Sequence, residues 1–201
     1  MEWQPKTELG RKVKNGEIKN IDEILESGKR IKEVEIVDTL LPNLKYEVIE
    51  ARGVQRMSDN GRKKRWRVVV VVGDENGHVG IGMGKNEEKR PALESAIRNA
   101  KLNLIKVPLG CGSWECNCNE RHSIPIAIKK KLKSFELILK PAPRGLGICA
   151  GDTVKTVLRL AGVKDVWSFS RGKRGNRMNS ALATYLSLKE LTKKKKSIVV
   201  S

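Results

Sequence analysis

The chain has 201 residues, and 41 Lys and Arg against 23 Asp and Glu give it a formal net charge of +18. This charge is more than solubility requires, so it predicts a polyanionic partner. An acidic membrane surface is the main alternative, but no apolar run approaches the roughly 18 residues that a membrane span needs. The N-terminal stretch MEWQPKTELGRK also lacks the apolar core of a signal peptide. We therefore expect a soluble, intracellular protein with no membrane partner.

The hydrophobic content limits the size of the core, and the aromatic content limits the kind of nucleic-acid contact that is expected. At 39% it is enough for one moderate core or two small ones. Aromatic residues make up only 4% of the chain, so stacking of many unpaired bases is not expected to be its main device. Contact with the backbone and grooves of RNA fits the composition better.

Residues 1–43 form a polar, charge-mixed N-terminal extension. The spacing of four apolar residues predicts one short helix that ends before Gly28; they are Ile18, Ile21, Ile24 and Leu25. The sequence of this segment shows no catalytic, metal-binding or nucleic-acid-binding motif.

Residues 44–108 predict a β-β-β-α domain. The first two strands form a hairpin, and the second of them is thoroughly apolar. The elements in chain order are a strand at 46–57, a basic tip at 58–65, a strand at 66–73, a strand at 78–85 and a helix within 87–107.

Residues 109–123, rich in Gly, Cys and Asn, predict a linker, and residues 124–192 predict a second domain of the order β-β-α-β-α. A basic corner at 129–133 separates its first two strands. Asp152 is expected to cap the next helix and Gly162 to end it.

The last predicted helix runs from about 179 to 191. The basic tail at 193–201 is expected to be mobile or to lie on a partner. The fold class is thus α+β.

The first candidate site is a concentration of positive charge along the predicted hairpin. Like charges this close repel one another unless counterions or phosphates neutralise them, so we expect phosphate contact. The alternative is a solvated loop whose charges serve solubility alone. The cations are Arg56, Arg62, Lys63, Lys64, Arg65 and Arg67.

The second candidate is Gly80, Gly82 and Gly84 followed by Lys85, which superficially suggests a nucleotide-phosphate loop. The glycine spacing is too short, and Asn86 stands where Ser or Thr is needed, so no nucleotide cofactor is expected. Alternatively, the glycines let a strand lie close to a helix or to an RNA backbone. We count Lys85 among the RNA contacts.

The third candidate is the group Cys111, Cys116, Cys118 and His122. Four soft ligands within twelve residues suit one tetrahedral, structural zinc ion, although the Cys-Asn-Cys spacing is tighter than that of common zinc knuckles. The alternative is a set of reduced thiols that pack a linker. Cys149 lies in a more apolar context, which favours a buried small side chain.

Catalysis is not expected. A nucleophilic mechanism would have to use one of only two histidines, and no carboxylate is placed by sequence to orient His78. A metal-dependent or nucleotide-dependent RNA-modifying enzyme remains an alternative, as does a non-ribosomal regulator that binds duplex RNA.

Two stretches, RWRVVVVVGDENGHVGIGMGK and LKPAPRGLGICAGDTVKTVLRLAGVKDVW, resemble the universal ribosomal small-subunit protein five family over about residues 44–192. The loop GCGSWECNCNERHSIP resembles the archaeal branch. The resemblance implies a first domain like a double-stranded-RNA-binding domain. It also implies a C-terminal α+β domain with a left-handed β-α-β crossover.

The same resemblance implies a structural constituent of the small ribosomal subunit that binds small-subunit rRNA, near the decoding region and the messenger RNA entry channel. It implies roles in subunit assembly and decoding accuracy, with small-subunit proteins four and eight as neighbours. In the family the basic hairpin inserts into rRNA. Gly147 and Lys155 match positions at the interface with protein four, where a Lys provides a point charge in place of the bidentate fork of Arg.

Overall fold

The computed structural model describes residues 3–118 and 120–199, with side chains up to residue 192. Three helices precede the first sheet: α1 (Glu8–Lys14), α2 (Ile21–Glu26) and α3 (Val34–Leu40). The first sheet and its helix are β1 (Lys45–Ser58), β2 (Gly61–Gly73), β3 (His78–Asn86), α4 (Lys89–Leu102) and β4 (Leu104–Lys106). The second half contains β5 (Ile128–Leu132), β6 (Phe135–Pro141), β7 (Ile148–Cys149), α5 (Asp152–Leu160), β8 (Val166–Gly172) and α6 (Arg177–Val199).

The first sheet is an antiparallel meander in the order β1-β2-β3-β4. Helix α4 covers one face of it, because alternate valines of β2 (Val68, Val70 and Val72) point towards the alanine ridge of α4. The prediction of a β-β-β-α unit is confirmed, with β4 as an added edge strand.

The glycines of β3 explain how closely α4 approaches the sheet. A Cβ added at Gly80, Gly82 or Gly84 would overlap a backbone carbonyl oxygen of α4. These glycines therefore serve strand-to-helix packing, the alternative that the sequence left open, and the resemblance to a phosphate loop is a false one.

The other face of the first sheet packs into a core that both halves of the chain share. Val69 and Val71 of β2 belong to the same buried cluster as Leu137 and Leu139 of β6. Helices α5 and α6 lie between the two sheets and supply Val157, Leu158, Leu188 and Leu191. From one side of the molecule to the other, the layers are therefore α4, the first sheet, the pair of helices α5 and α6, and the second sheet.

The second sheet has the order β5-β6-β8-β7, and its only parallel pair among the described residues is β7 with β8. Helix α5 connects these two strands, which makes the β-α-β crossover. The α+β class is confirmed; the left hand of the crossover stays a prediction from the family resemblance.

Helix α6 joins the two halves by hydrogen bonds as well as by packing. The Tyr185 hydroxyl donates to the carbonyl of Asn103 at 2.8 Å, and the Thr192 hydroxyl donates to that of Lys106 at 2.7 Å. Burial raises the pKa of Tyr185 to about 12, so the phenol stays protonated as a donor.

The N-terminal region is more ordered than the sequence predicts. The predicted helix before Gly28 is α2, but α1 and α3 flank it. The three helices bury Val13, Ile24 and Ile36 against Leu104 of β4. Short helices of this kind are stabilised by tertiary packing, which local periodicity does not reveal.

Both basic segments predicted as loops belong to strands. The hairpin turn consists of residues 59–60 alone, so the cations at 62–65 lie in β2. Likewise β5 and β6 are joined by residues 133–134, so all but the last residue of the corner predicted at 129–133 lies in β5.

Three smaller expectations also change. Helix α5 begins at Asp152, whose side chain makes no cap, and Gly151 is the N-cap residue. Cys149 is exposed rather than buried. The backbone of α6 runs to Val199, so most of the tail predicted to be mobile or to lie on a partner is helical; its side chains and residues 200–201 lie outside the described part.

Candidate nucleic-acid interface and metal centre

Strands β1 and β2 extend past the core as a two-stranded basic hairpin. Their register pairs Arg56 with Lys63 and Val54 with Arg65, and the next strand pairs Arg67 with Lys85. Directly opposed residues point to the same face of a sheet. The hairpin therefore places cations from three strands on one face.

That face forms a shallow open groove. Its cationic lining consists of Arg56, Lys63, Arg65, Arg67 and Lys85. Asp59 is the one carboxylate residue in the lining. Arg62 and Lys64 do not line it, because strand alternation sends them to the opposite face. The structure thus brings five of the seven predicted RNA contacts together and separates the other two.

Arg67 differs from the other groove cations because it is half-buried at the base of the hairpin. Its guanidinium lies 3.6 Å from the carboxylate of Glu50, which also lies 3.6 Å from Nε of Arg52. Arg52 faces Arg67 across the strand pair and was missed from the sequence. The turn at residues 59–60 fixes the register that pairs them, and the charge of the segment hid that turn in the sequence.

The second site is the cluster of Cys111, Cys116, Cys118 and His122. One ligand atom from each residue lies within 4.8 Å of all the others. The Sγ atoms of Cys118 and Cys111 are 3.6 Å apart, and Sγ of Cys116 is 3.7 Å from Nε2 of His122. The four side chains predicted as ligands therefore converge on one point.

The separations of 3.6 and 3.7 Å are those expected of ligands on a tetrahedral zinc ion. Bonds of about 2.3 Å to sulfur and about 2.0 Å to nitrogen place tetrahedral ligands roughly 3.5 to 3.8 Å apart. The Cys116 and Cys118 sulfurs are closer, at 3.0 Å, as the tight Cys-Asn-Cys spacing predicts. Their mutual hydrogen bond lowers the pKa of Cys116 to about 6 and raises that of Cys118 to about 11. One thiolate is thus available near neutral pH.

The buried carboxylate of Asp165 orients the imidazole. Nδ1 of His122 donates to Oδ2 of Asp165 at 2.8 Å, which leaves Nε2 free to face the three sulfurs. Both side chains are almost fully buried. Histidine metal ligands usually donate their second nitrogen to a carboxylate in this way. Because Asp165 is 43 residues away in sequence, no local motif could have identified it.

The predicted interface residue Gly147 connects to the same carboxylate. Its backbone N–H donates to Oδ1 of Asp165 at 2.8 Å, and its carbonyl accepts from Val166. In the same loop, the Arg144 guanidinium pairs with Glu120 of the cysteine segment at 3.0 Å. The second interface residue, Lys155, is exposed in the first turn of α5.

The histidine outside the cluster has carboxylate partners after all. Nδ1 of His78 lies 2.6 Å from Asp74, and Nε2 lies 2.8 Å from Asp22 of α2. Burial alone would lower the pKa of His78, but these two hydrogen bonds outweigh it and raise the pKa. The two contacts attach α2 to the turn between β2 and β3. This histidine therefore has a structural role.

No helix in the described part of the chain is long and apolar enough to cross a membrane. A small, strongly basic α+β protein with its cations on a projecting hairpin is typical of proteins that bind structured RNA through its backbone. Two family models match: that of the ribosomal protein S5 N-terminal domain at residues 44–108, and that of the C-terminal domain at residues 130–198. The chain therefore belongs to the ribosomal protein S5 family.

Curated relatives agree with this assignment. The small ribosomal subunit protein uS5 of Aeropyrum pernix is 56% identical, over 93% of this chain and 86% of its own length. Those of Hyperthermus butylicus and Methanoregula boonei are 55% and 51% identical, over 96% and 94% of this chain and 91% and 92% of theirs. All three organisms are archaea, so the predicted archaeal type is confirmed. These relatives are structural ribosomal proteins, which confirms the expectation that the chain is not an enzyme.

Proposed function

We propose that this chain is a structural component of the cytoplasmic small ribosomal subunit, and that the hairpin of β1 and β2 binds small-subunit rRNA. The observation that carries the proposal is the cationic groove on one face of the hairpin. Within the described residues, Arg56, Lys63 and Arg65 form no ion pair. Exposed cations without carboxylate partners are suited to phosphate contact.

The two faces of β2 provide a matched test. The variant Lys63→Gln with Arg65→Gln removes two charges from the groove, and Arg62→Gln with Lys64→Gln removes two from the other face. Affinity for a small-subunit rRNA fragment is measured over a salt series, since each lost phosphate contact lowers the slope by about 0.9. A larger loss of affinity and slope in the groove variant supports the proposal. Equal losses in both variants contradict the groove as the contact face.

For the second half of the chain, we propose contact with neighbouring small-subunit proteins. By the family resemblance these neighbours are proteins four and eight, and Gly147 and Lys155 lie at the contact, near the messenger RNA entry channel. Through this contact the chain influences decoding accuracy. The exposure of Lys155 agrees with this role. A photo-crosslinking amino acid at position 155 in assembled subunits should capture one of these two proteins; capture of rRNA alone would contradict the assignment.

The division of labour follows the predicted segments. Residues 44–108 bind rRNA, residues 109–123 form a metal clip, and residues 124–192 contact neighbouring proteins. Residues 1–43 and the tail at 193–201 flank these three parts.

We also propose that Cys111, Cys116, Cys118 and His122 bind one structural zinc ion. The converging ligand atoms and the carboxylate partner of His122 support it. All four positions of a tetrahedral ion are filled by protein, so the metal would hold the clip closed and activate no water. Elemental analysis of chain purified without chelators should find close to one zinc per chain. Less than a tenth of an equivalent would refute the site.

A further inference from the structure

The outer face of the second sheet is exposed. Alternate residues of β5, β6 and β8 point into the shared core, and those between them point away from it. On that outward side Trp167 is 40% exposed and Phe169 is 54% exposed. Two of the chain's eight aromatic side chains therefore stand next to each other on one strand, in contact with solvent.

The strand register arranges this face as three rows. The first row runs from Cys149 through Trp167 to Lys140. In the second row Phe169, Ile138 and Lys129 lie side by side. The third row consists of Arg171, Glu136 and Lys131.

The charges of the face are concentrated around the two rings. Four cations and one carboxylate give it a net charge of +3, and the carboxylate of Glu136 already pairs with Lys129 at 2.5 Å. Nζ of Lys140 lies 5.3 Å from the centre of the Phe169 ring. Aromatic rings with cations beside them are the combination that holds unpaired nucleotides, because bases stack on the rings while phosphates meet the cations.

The charge of the face favours a nucleotide segment as its occupant, because its net charge of +3 complements phosphates. Trp167 and Phe169 are about 7 Å apart along β8, which lets consecutive nucleotides of an extended strand each take one ring.

We infer that this face, centred on Trp167 and Phe169, is a second RNA-binding surface that stacks two unpaired bases. It differs in chemistry from the hairpin groove, which contacts phosphates of structured RNA. The chain would thus hold a duplex region at one end and an unpaired segment at the other.

The test uses the full chain with both faces of the hairpin neutralised (Arg62→Gln, Lys63→Gln, Lys64→Gln, Arg65→Gln), so that the groove does not mask the second surface. The probe is a fluorescent single-stranded heptaribonucleotide. Adding Trp167→Leu and Phe169→Leu should weaken its binding at least ~10-fold, since stacking on an aromatic ring contributes strongly for each base. The control Trp114→Leu removes a 93% exposed ring elsewhere and should change nothing.

Two further measurements keep the result decisive. The variant Trp167→Phe with Phe169→Tyr keeps both rings and should keep the affinity, which separates loss of stacking from loss of fold. In native small subunits, ultraviolet crosslinking should attach a nucleotide to the peptide containing residues 166–171. Unchanged heptanucleotide binding in the double Leu variant would overturn the inference. So would crosslinks from Lys129 and Lys140 to a protein with no nucleotide on that peptide.

Discussion

Nδ1 of His122 donates to Oδ2 of Asp165, and the other oxygen of this buried carboxylate accepts from the backbone of Gly147. One side chain therefore links the metal cluster to the loop that carries a proposed protein interface. The order of that loop should depend on the state of the cluster.

Asp165→Asn tests this link. An amide in place of the carboxylate weakens the orientation of the imidazole, and loss of such an outer partner typically costs about 10–100-fold in metal affinity. We expect that loss in a chelator competition assay, together with faster amide hydrogen exchange at residues 143–149.

Glu115→Gln is the matched control, because it removes an exposed charge within the cysteine segment without touching a ligand. If the Asp165 variant bound zinc as tightly as this control and its loop exchanged no faster, the proposed coupling would be wrong. If zinc affinity fell while the loop stayed protected, the carboxylate would serve the metal alone.

The docking of α2 should depend on pH. The raised pKa of His78 means that its stabilising contribution is full below about pH 6.5 and is lost as the pH rises through the folded-state value. Burial opposes ionisation of Asp22, but hydrogen bonds from Lys106 and His78 lower its pKa overall, so its contribution is lost only in acid. Once the base-catalysed rise in the intrinsic exchange rate is divided out, amides of α2 should therefore be less protected at pH 8.5 than at pH 6.

His78→Gln should remove that difference in protection between pH 6 and pH 8.5, because an amide does not titrate. Lys106 still pairs with Asp22 and Glu26 in this variant, so α2 keeps part of its attachment. Exchange rates of α2 with the same pH dependence in the variant and the parent chain would rule His78 out as the cause.

The close packing of β3 on α4 gives a prediction about stability. A methyl group at position 82 would overlap the carbonyl of Ala96, so Gly82→Ala should lower the free energy of unfolding by about 1–3 kcal/mol. Gly53→Ala on the exposed hairpin meets nothing within 4 Å and should be neutral or slightly stabilising. Urea unfolding of both variants checks this; equal midpoints would contradict the packing argument.

The sequence predicted the apolar strand β2 and the convergence of the cysteine cluster because both signals are local. The five consecutive valines at 68–72 are buried on both faces, as a continuous apolar run predicts. Helices α1 and α3 escaped prediction because their stability comes from packing. The cations were placed in a loop, since the charge of the segment hid the two-residue turn at 59–60 that sets the strand register.

The site could be predicted only as far as its members are neighbours in sequence. Asp165 reaches His122 only through the fold, and so does Asp22, which lies 56 residues from His78. The exposure of Trp167 and Phe169 likewise depends on which face of the second sheet the helices cover.

The central claim is that this chain is an integral part of the small ribosomal subunit. The most direct measurement is sedimentation of native cell extract through a sucrose gradient in high salt, with this chain followed by immunoblot. The account predicts stable co-migration with the small subunit, because a buried network of phosphate and protein contacts resists salt better than a peripheral charge contact does. Release of the chain into the light fractions would contradict it.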